Sequence, residues 1–185
     1  MLPAEFDLSG RMAIVTGGGT GIGKATAMLL GRRGADIAIA GRKADVRKPG
    51  DCRALVDTVA GKLGRIDILI NNAGGAHGHV GLSKVDLAKW DRDIQLNLSS
   101  AQYCAQAALP HLKANRGCIV NISSLAGVHG TQGVGAYSAA KAGLQMLTRV
   151  MAAEWGPAGV RVNCVAPGMT ATEKATEAAP LWRNG

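Results

Sequence analysis

Aromatic side chains supply only 3% of the 185 residues: one Phe, two Tyr and three Trp. The core must therefore be packed from Ala, Val, Ile, Leu and Met, the usual filling between helices and a buried sheet. Binding of nucleic acid by stacking bases on aromatic rings is disfavoured for the same reason. No two of the four cysteines, Cys52, Cys104, Cys118 and Cys164, form a CxxC pair. The common zinc and redox signatures are missing, and Cys118 and Cys164, in or beside predicted strands, read as small hydrophobes in a reducing cytosol. No apolar stretch approaches the ~18 residues of a membrane span, and the opening MLPAEFDLSGRM lacks a basic region followed by an apolar run, so a soluble, cytoplasmic chain with no membrane partner is expected. The formal net charge of +8 comes without any run of five basic residues. Scattered charge fits a solvated surface with a phosphate-binding pocket better than a nucleic-acid interface, and no nucleic-acid partner is expected. His77, His79 and His129 have no carboxylate or cysteine at zinc-site spacing, so no metal is expected, and a place along a substrate cleft is the alternative. No repeat, linker or low-complexity tract divides the chain, which is read as one domain over residues 1–185.

What is present is an alternation of short apolar runs with helical patterns. Met12 to Thr16 (MAIVT) reads as a strand, GGGTGIG as a glycine turn and Lys24 to Arg33 as a helix stopped by Gly34. Asp36 to Ala40 (DIAIA) and Arg65 to Ile70 (RIDILI) read as strands two and three. Between them Asp51 is placed to cap a helix from Cys52 to Leu63, with Leu55, Val56 and Val59 on one face. A long helical pattern covers Asp86 to Ala114, followed by a strand at Cys118 to Ile122, a helix at Ala136 to Trp155 and a last strand at Val160 to Val165. Strands alternating with helices predict parallel pairing through crossover helices: an α/β, Rossmann-type, doubly wound sheet.

The turn TGGGTGIG, Thr16 to Gly23, follows a predicted strand and opens a predicted helix, with Gly17, Gly21 and Gly23 in GxxxGxG spacing. Glycine allows a tight turn and close backbone approach, and a helix N-terminus offers free N–H groups to a pyrophosphate. Asn71 to Gly74 (NNAG) follows the third strand and on its own also suits a plain turn. Tyr137 and Lys141 stand at i and i+4 on a predicted helix and share one face. A phenol titrates near ~10, and a neighbouring ammonium favours its ionised form, so the lysine makes the tyrosine useful as an acid-base group. Such a pair also occurs on ordinary solvated helices. Ser124 lies thirteen residues before Tyr137, just past a strand, where its hydroxyl could donate to a carbonyl oxygen as charge develops there. Ser123 stands beside it.

In this order and at these positions the motifs resemble those of the short-chain dehydrogenase/reductase family, and of its 3-oxoacyl-[acyl-carrier-protein] reductase-like members in particular. The resemblance implies a hydride-transfer enzyme acting on a small-molecule carbonyl or secondary alcohol, with a 3-oxoacyl thioester, a sugar or a steroid as candidate substrates. It implies Tyr137 as general acid-base, Lys141 as the group that assists it and holds the nicotinamide ribose, Ser124 as the carbonyl-polarising hydroxyl, with Ser123 second because the family spacing picks out Ser124, and Asn97 as anchor of a proton relay. It also implies dinucleotide contacts from Gly17, Thr20, Gly21, Ile22 and Gly23 at the glycine turn, Asp45 and Val46 at the adenine, and Asn72, Ala73 and Gly74 after the third strand. Tyr137 and Lys141 contact the dinucleotide as well, with Pro167, Gly168, Thr170 and Thr172 near the nicotinamide or the phosphates. A homo-oligomer, tetramer or dimer, packed through the two long helices is implied too.

The second strand ends in Gly41 where an NAD enzyme would carry an acid for the ribose 2′-OH, and Arg42 follows, with Lys43 beyond it. A guanidinium can grip a 2′-phosphate in two bonds, so NADP is expected rather than NAD. GRK runs straight into Ala44 to Val46, and the chain stops at ATEKATEAAPLWRNG, so the family's usual third and seventh strands are expected to be lacking. Both gaps fall where ligand-ordered loops would sit, which favours missing segments over a naturally shortened member. Deletion at GRK should leave the second strand as an edge, with nearby apolar surface uncovered. The rival expectation is a catalytically impaired dinucleotide-binding or oligomerisation module of the same descent.

Overall fold

The structure is a computed structural model and describes residues 6–41, 44–76 and 78–173. Five strands, β1 (Met12–Thr16), β2 (Asp36–Ala40), β3 (Ile68–Asn71), β4 (Cys118–Ile122) and β5 (Arg161–Val165), form one sheet in the order β2-β1-β3-β4-β5, all pairs parallel. The strand order reverses across β1 and β3, so their carboxyl ends flank the crevice that such sheets use for ligands. Among the described residues the strands are connected by the α-helices α1 (Gly21–Arg32), α2 (Pro49–Leu63), α3 (Leu87–Ile94), α4 (Ser100–Asn115) and α5 (Gly135–Trp155).

On one face α2, α4 and α5 cover a core of Met12, Ile14, Val56, Leu69, Leu112, Ile119 and Met151, each at most 1% exposed. The facing thiols Cys52 and Cys104 are buried with their Sγ atoms 3.4 Å apart and stay unbridged. They pack α2 against α4 as small hydrophobes. On the other face α1 covers a smaller core of Ala13, Val15, Ala27, Ile68 and Ile70.

β2 forms one edge of the described sheet, as the short GRK connection predicts, and Met28, Leu29 and Ile39 beside it are each at least half exposed. Three local expectations need correcting. Asp51 is not the cap of α2: the helix begins two residues earlier at Pro49, whose fixed φ suits a first helical position, and Lys48 is the N-cap. The Asp51 carboxylate accepts instead from the Asp45 amide at 2.9 Å. β3 begins at Ile68 rather than Arg65, because Asp67 turns its buried carboxylate to the Met12 amide (2.9 Å) and to the guanidinium groups of Arg11 (3.0 Å) and Arg65 (2.6 Å). Burial pushes the Asp67 carboxyl up, but Arg65, the Met12 amide and Arg11 outweigh it and hold it below its ordinary value. The helix expected from Lys24 starts at Gly21, inside the glycine turn itself.

The long pattern from Asp86 is one continuous run of helix broken by a single wider turn. Asp86 caps α3 by accepting from the Lys89 amide at 2.8 Å, and residues Gln95–Ser99 form a π-helical turn before α4. Asn97 sits in that turn. Among the described residues no helix is long and apolar enough to cross a membrane, and no group of three His, Cys, Asp or Glu could hold a metal ion. His77 lies outside the described residues, while His79 and His129 are exposed.

Candidate active site

The glycine turn is built by contacts that only glycine permits. Gly17 and Gly21 adopt φ of +65° and +52°, and a Cβ on Gly23 would lie 2.4 Å from both the Gly17 carbonyl and Asn72 Nδ2. Asn72 ties the turn to β3: its Nδ2 donates to the carbonyls of Thr16 (3.0 Å) and Gly17 (3.3 Å). The Thr16 hydroxyl donates to the Ile70 carbonyl and accepts from the amides of Asn72 (2.9 Å) and Ala73 (3.0 Å). NNAG is therefore a brace for the glycine turn rather than a free loop.

Thr20, the N-cap of α1, makes no side-chain capping bond, and no carboxylate lies in the helix's first turn. The leading amides and the positive end of the helix dipole are thus left to an anion. Gly21, Ile22, Thr170 and Thr172 together line a cavity of about 540 Å³ along the flank of α1, and Lys24 pairs with Glu173 at 3.1 Å on its rim. The donor set at this turn fits the pyrophosphate of a dinucleotide.

At the other side of the crevice β4 runs out into Ser123 and Ser124. The Ser123 amide donates to the Val165 carbonyl (2.7 Å) and the Leu125 amide to the Pro167 carbonyl (3.0 Å), so the serine loop and the Pro167–Gly168 loop continue the β4–β5 pairing. Ser124 Oγ accepts from the Ala126 amide at 3.1 Å, which leaves its hydroxyl hydrogen to give away. α5 comes close because Gly127 has no side chain: a Cβ there would stand 2.7 Å from the Ala142 amide nitrogen and the Lys141 carbonyl carbon.

Lys141 is 3% exposed and donates through Nζ to the Ile122 carbonyl at 2.7 Å, with Nζ 5.7 Å from the centroid of the Tyr137 ring. Burial drives its ammonium down to about 8, only partly opposed by Cys164. Tyr137 itself is half-buried and borders a small cavity of about 80 Å³ with Val80, Leu82, Gly133 and Val134.

Asn97, 2% exposed, is fixed from both sides. Its Oδ1 accepts from the Gly75 amide (2.9 Å) and its Nδ2 donates to the carbonyls of Gly75 and Asp93 (3.0 Å each). Gly74 lies between the two polar groups, since a Cβ on it would be 2.6 Å from Asn97 Oδ1 and 3.2 Å from Lys141 Nζ. The π-helical turn aims the asparagine into this crowded spot, a common use of such turns at functional sites.

The structure brings together Gly17, Thr20, Gly21, Ile22, Gly23, Asn72, Ala73 and Thr172 at one end of the crevice, and Gly74, Asn97, Ser124, Tyr137, Lys141, Pro167 and Gly168 at the other. Thr170 Oγ1 donates to the Gly168 carbonyl at 3.2 Å. The Asp45 carboxylate is gripped by Arg47 in two bonds of 2.8 Å, which holds it near 2, well below the usual carboxylate range, while Val46 is buried under α2. Arg42, with Lys43, lies outside the described residues. Gly127 and Gln145 were not singled out from sequence and gave no signal there, because their partners come from another element.

A parallel sheet with a glycine turn at its crevice is the arrangement of a dinucleotide-binding α/β fold. The short chain dehydrogenase profile matches residues 39–180. A cis-4-hydroxycyclohexanecarboxylate dehydrogenase of Sinomonas cyclohexanicum is 40% identical over 88% of this chain and 74% of its own. The 2-dehydro-3-deoxy-D-gluconate 5-dehydrogenase of Escherichia coli (strain K12) is 36% identical over 93% and 76%. The solved NADP active-site complex of Pseudomonas aeruginosa RhlG superposes with a TM-score of 0.90 at 30% identity, over 97% of this chain and 80% of that one. The chain belongs to the short-chain dehydrogenase family, whose members are oxidoreductases acting on CH–OH and C=O groups with a nicotinamide dinucleotide.

Proposed function

We propose that this chain reduces a ketone, or oxidises the matching secondary alcohol, with NADP(H), using Tyr137, Lys141, Ser124 and Asn97. One observation carries the reading above all: a lysine 3% exposed, with no ion pair among the described residues, stands beside a tyrosine at the mouth of a dinucleotide crevice. A buried, unpaired cation is expensive to keep, and such groups cluster at functional sites.

A dinucleotide bound along the glycine turn supplies the hydride, or accepts it. Gly21, Ile22 and Gly23 would hold its pyrophosphate at the N-terminus of α1, with Thr20 and Thr172 beside them. In the reductive direction Ser124 donates its hydroxyl hydrogen to the carbonyl oxygen, and Tyr137 gives that oxygen its proton. Lys141 stabilises the negative charge left on the tyrosine oxygen. Asn97 holds the backbone at Gly75 next to the lysine, where it anchors the path that returns the proton. In the oxidative direction the same groups act in reverse.

Three facts support NADP over NAD: Gly41 offers no carboxylate to a ribose 2′-OH, Arg42 and Lys43 follow it, and one solved relative is an NADP complex. The relatives' names point to hydroxylated rings and sugar acids, which join 3-oxoacyl thioesters, sugars and steroids as candidate substrates. A homo-oligomer built on α4 and α5, acting in the cytoplasm as a single domain, completes the reading. The test is stopped-flow absorbance of NADPH against NADH over a panel containing 4-oxocyclohexanecarboxylate, a keto sugar acid, a 3-oxoacyl thioester and a ketosteroid. Turnover of at least one ketone with a preference for NADPH is expected. Dinucleotide binding without turnover of any of them would instead favour a binding module that has lost its chemistry.

A further inference from the structure

Beyond these four residues we propose that Gln145 is a positioning residue for the reaction: with Ser123 it clamps the Ser124 loop onto α5. The proposal rests on the reading that Ser124 binds the substrate oxygen.

Tyr137, Lys141 and Gln145 stand at i, i+4 and i+8 of α5, so all three project from one face of the helix, one turn apart. Gln145 Nε2 donates to Ser123 Oγ at 3.0 Å and to the Ser124 carbonyl at 3.3 Å. The Ser123 hydroxyl, 4% exposed, donates in turn to the Lys141 carbonyl at 2.9 Å. These three hydrogen bonds tie the Ser123–Ser124 loop to the helix that carries Tyr137 and Lys141, through the Ser124 carbonyl, the Ser123 hydroxyl and the Lys141 carbonyl. The rungs on either side repeat the pattern: Asn121 Nδ2 donates to Thr148 Oγ1 at 2.9 Å, and Lys141 Nζ to the Ile122 carbonyl at 2.7 Å.

Packing alone does not force Gln145 into this arrangement. It also borders an open cavity of about 320 Å³ with Thr148, Arg149 and Cys164, yet its amide turns to the serines. Among polar side chains an amide suits the place, because it donates twice and brings no charge next to the Lys141 ammonium. Without the clamp, Ser124 would keep its local ties, from the Ala126 amide to its Oγ (3.1 Å) and from the Gly127 amide to its carbonyl (3.0 Å), but would lose the bond that fixes that carbonyl against α5. Misplacement of a reacting group by about an ångström lowers rates by ~10²-fold, so the serine's register against Tyr137 matters directly.

The experiment is a double-mutant cycle on Gln145→Met and Ser124→Ala in the full chain, read by steady-state reduction of the best ketone of the panel with NADPH. Gln145→Met keeps the side chain's size and removes its donors. It should lower kcat roughly 10- to 100-fold and leave KM for NADPH unchanged, while in the Ser124→Ala background it should lower kcat no further. Ser123→Ala breaks the same clamp from its other end, should behave the same way, and carries the test if the Gln145→Met chain does not bind NADPH. Unchanged kcat in both clamp variants, or an equal loss in the two serine backgrounds, overturns the clamp alone. Wild-type turnover in Ser124→Ala overturns the role of Ser124 itself, and the clamp with it.

Discussion

Replacing Lys141 by methionine should make the protein more stable at neutral pH while removing its activity. The ammonium is driven from its ordinary 10.5 down to about 8 by burial, a difference that corresponds to about 3 kcal/mol held against the folded state when the group is charged. Methionine fills similar space without a charge, and the Ile122 carbonyl loses a donor worth about 1 kcal/mol. The net gain at pH 7 is therefore about 2 kcal/mol. The sign of the pH dependence follows from proton linkage. Between about 8 and 10.5 the unfolded wild type binds more protons than the folded protein, so its stability rises with pH through that window. The advantage of Lys141→Met should accordingly be full below pH 8 and shrink by about 1.4 kcal/mol per unit above it. Urea denaturation of both proteins without dinucleotide, at pH 7 and at pH 9.5, measures the gap directly. A gap that does not change with pH, or a variant less stable at pH 7, would refute the reasoning.

Gly23→Ala should abolish dinucleotide binding, measured by titration of NADPH fluorescence, because its Cβ would stand 2.4 Å from the Gly17 carbonyl in a turn that cannot yield there. Asp67→Asn should destabilise the fold by roughly 3 kcal/mol, seen as a lower urea midpoint, since a buried carboxylate serving two guanidinium groups and the Met12 amide is lost. The same carboxyl is held below its ordinary value, so the stability it contributes is present above the unfolded pKa near ~3.9 and disappears as pH falls through its folded value. In Asp67→Asn that part of the acid sensitivity should be missing from an acid titration followed by circular dichroism.

Much of this architecture was legible because its signals are local. The apolar runs MAIVT, DIAIA and CIVNI are strands at the residues expected, and Tyr137 and Lys141 share a helix face by periodicity alone. The edge position of β2 could be read from the short GRK connection. The errors fell where two local signals competed or where a distant group decided. Asp51 is a good cap type, but Pro49 two residues earlier sets the helix start, and Asp51 is drawn to the Asp45 amide. Arg65 to Asp67 looked like strand, yet an ion cluster reaching back to Arg11 and Met12 takes those residues out of it. Asn97 was found through the family pattern, while the π-helical turn that aims it leaves no mark in the sequence. Gly127 and Gln145 have meaning only once β4 and α5 are brought together.

The most direct test of the central claim is the turnover of Tyr137→Phe with NADPH and the best ketone of the panel, alongside its affinity for NADPH. Loss of the hydroxyl alone should lower kcat by at least ~10²-fold with NADPH affinity nearly unchanged. Turnover equal to that of the wild type would contradict a site organised around that hydroxyl.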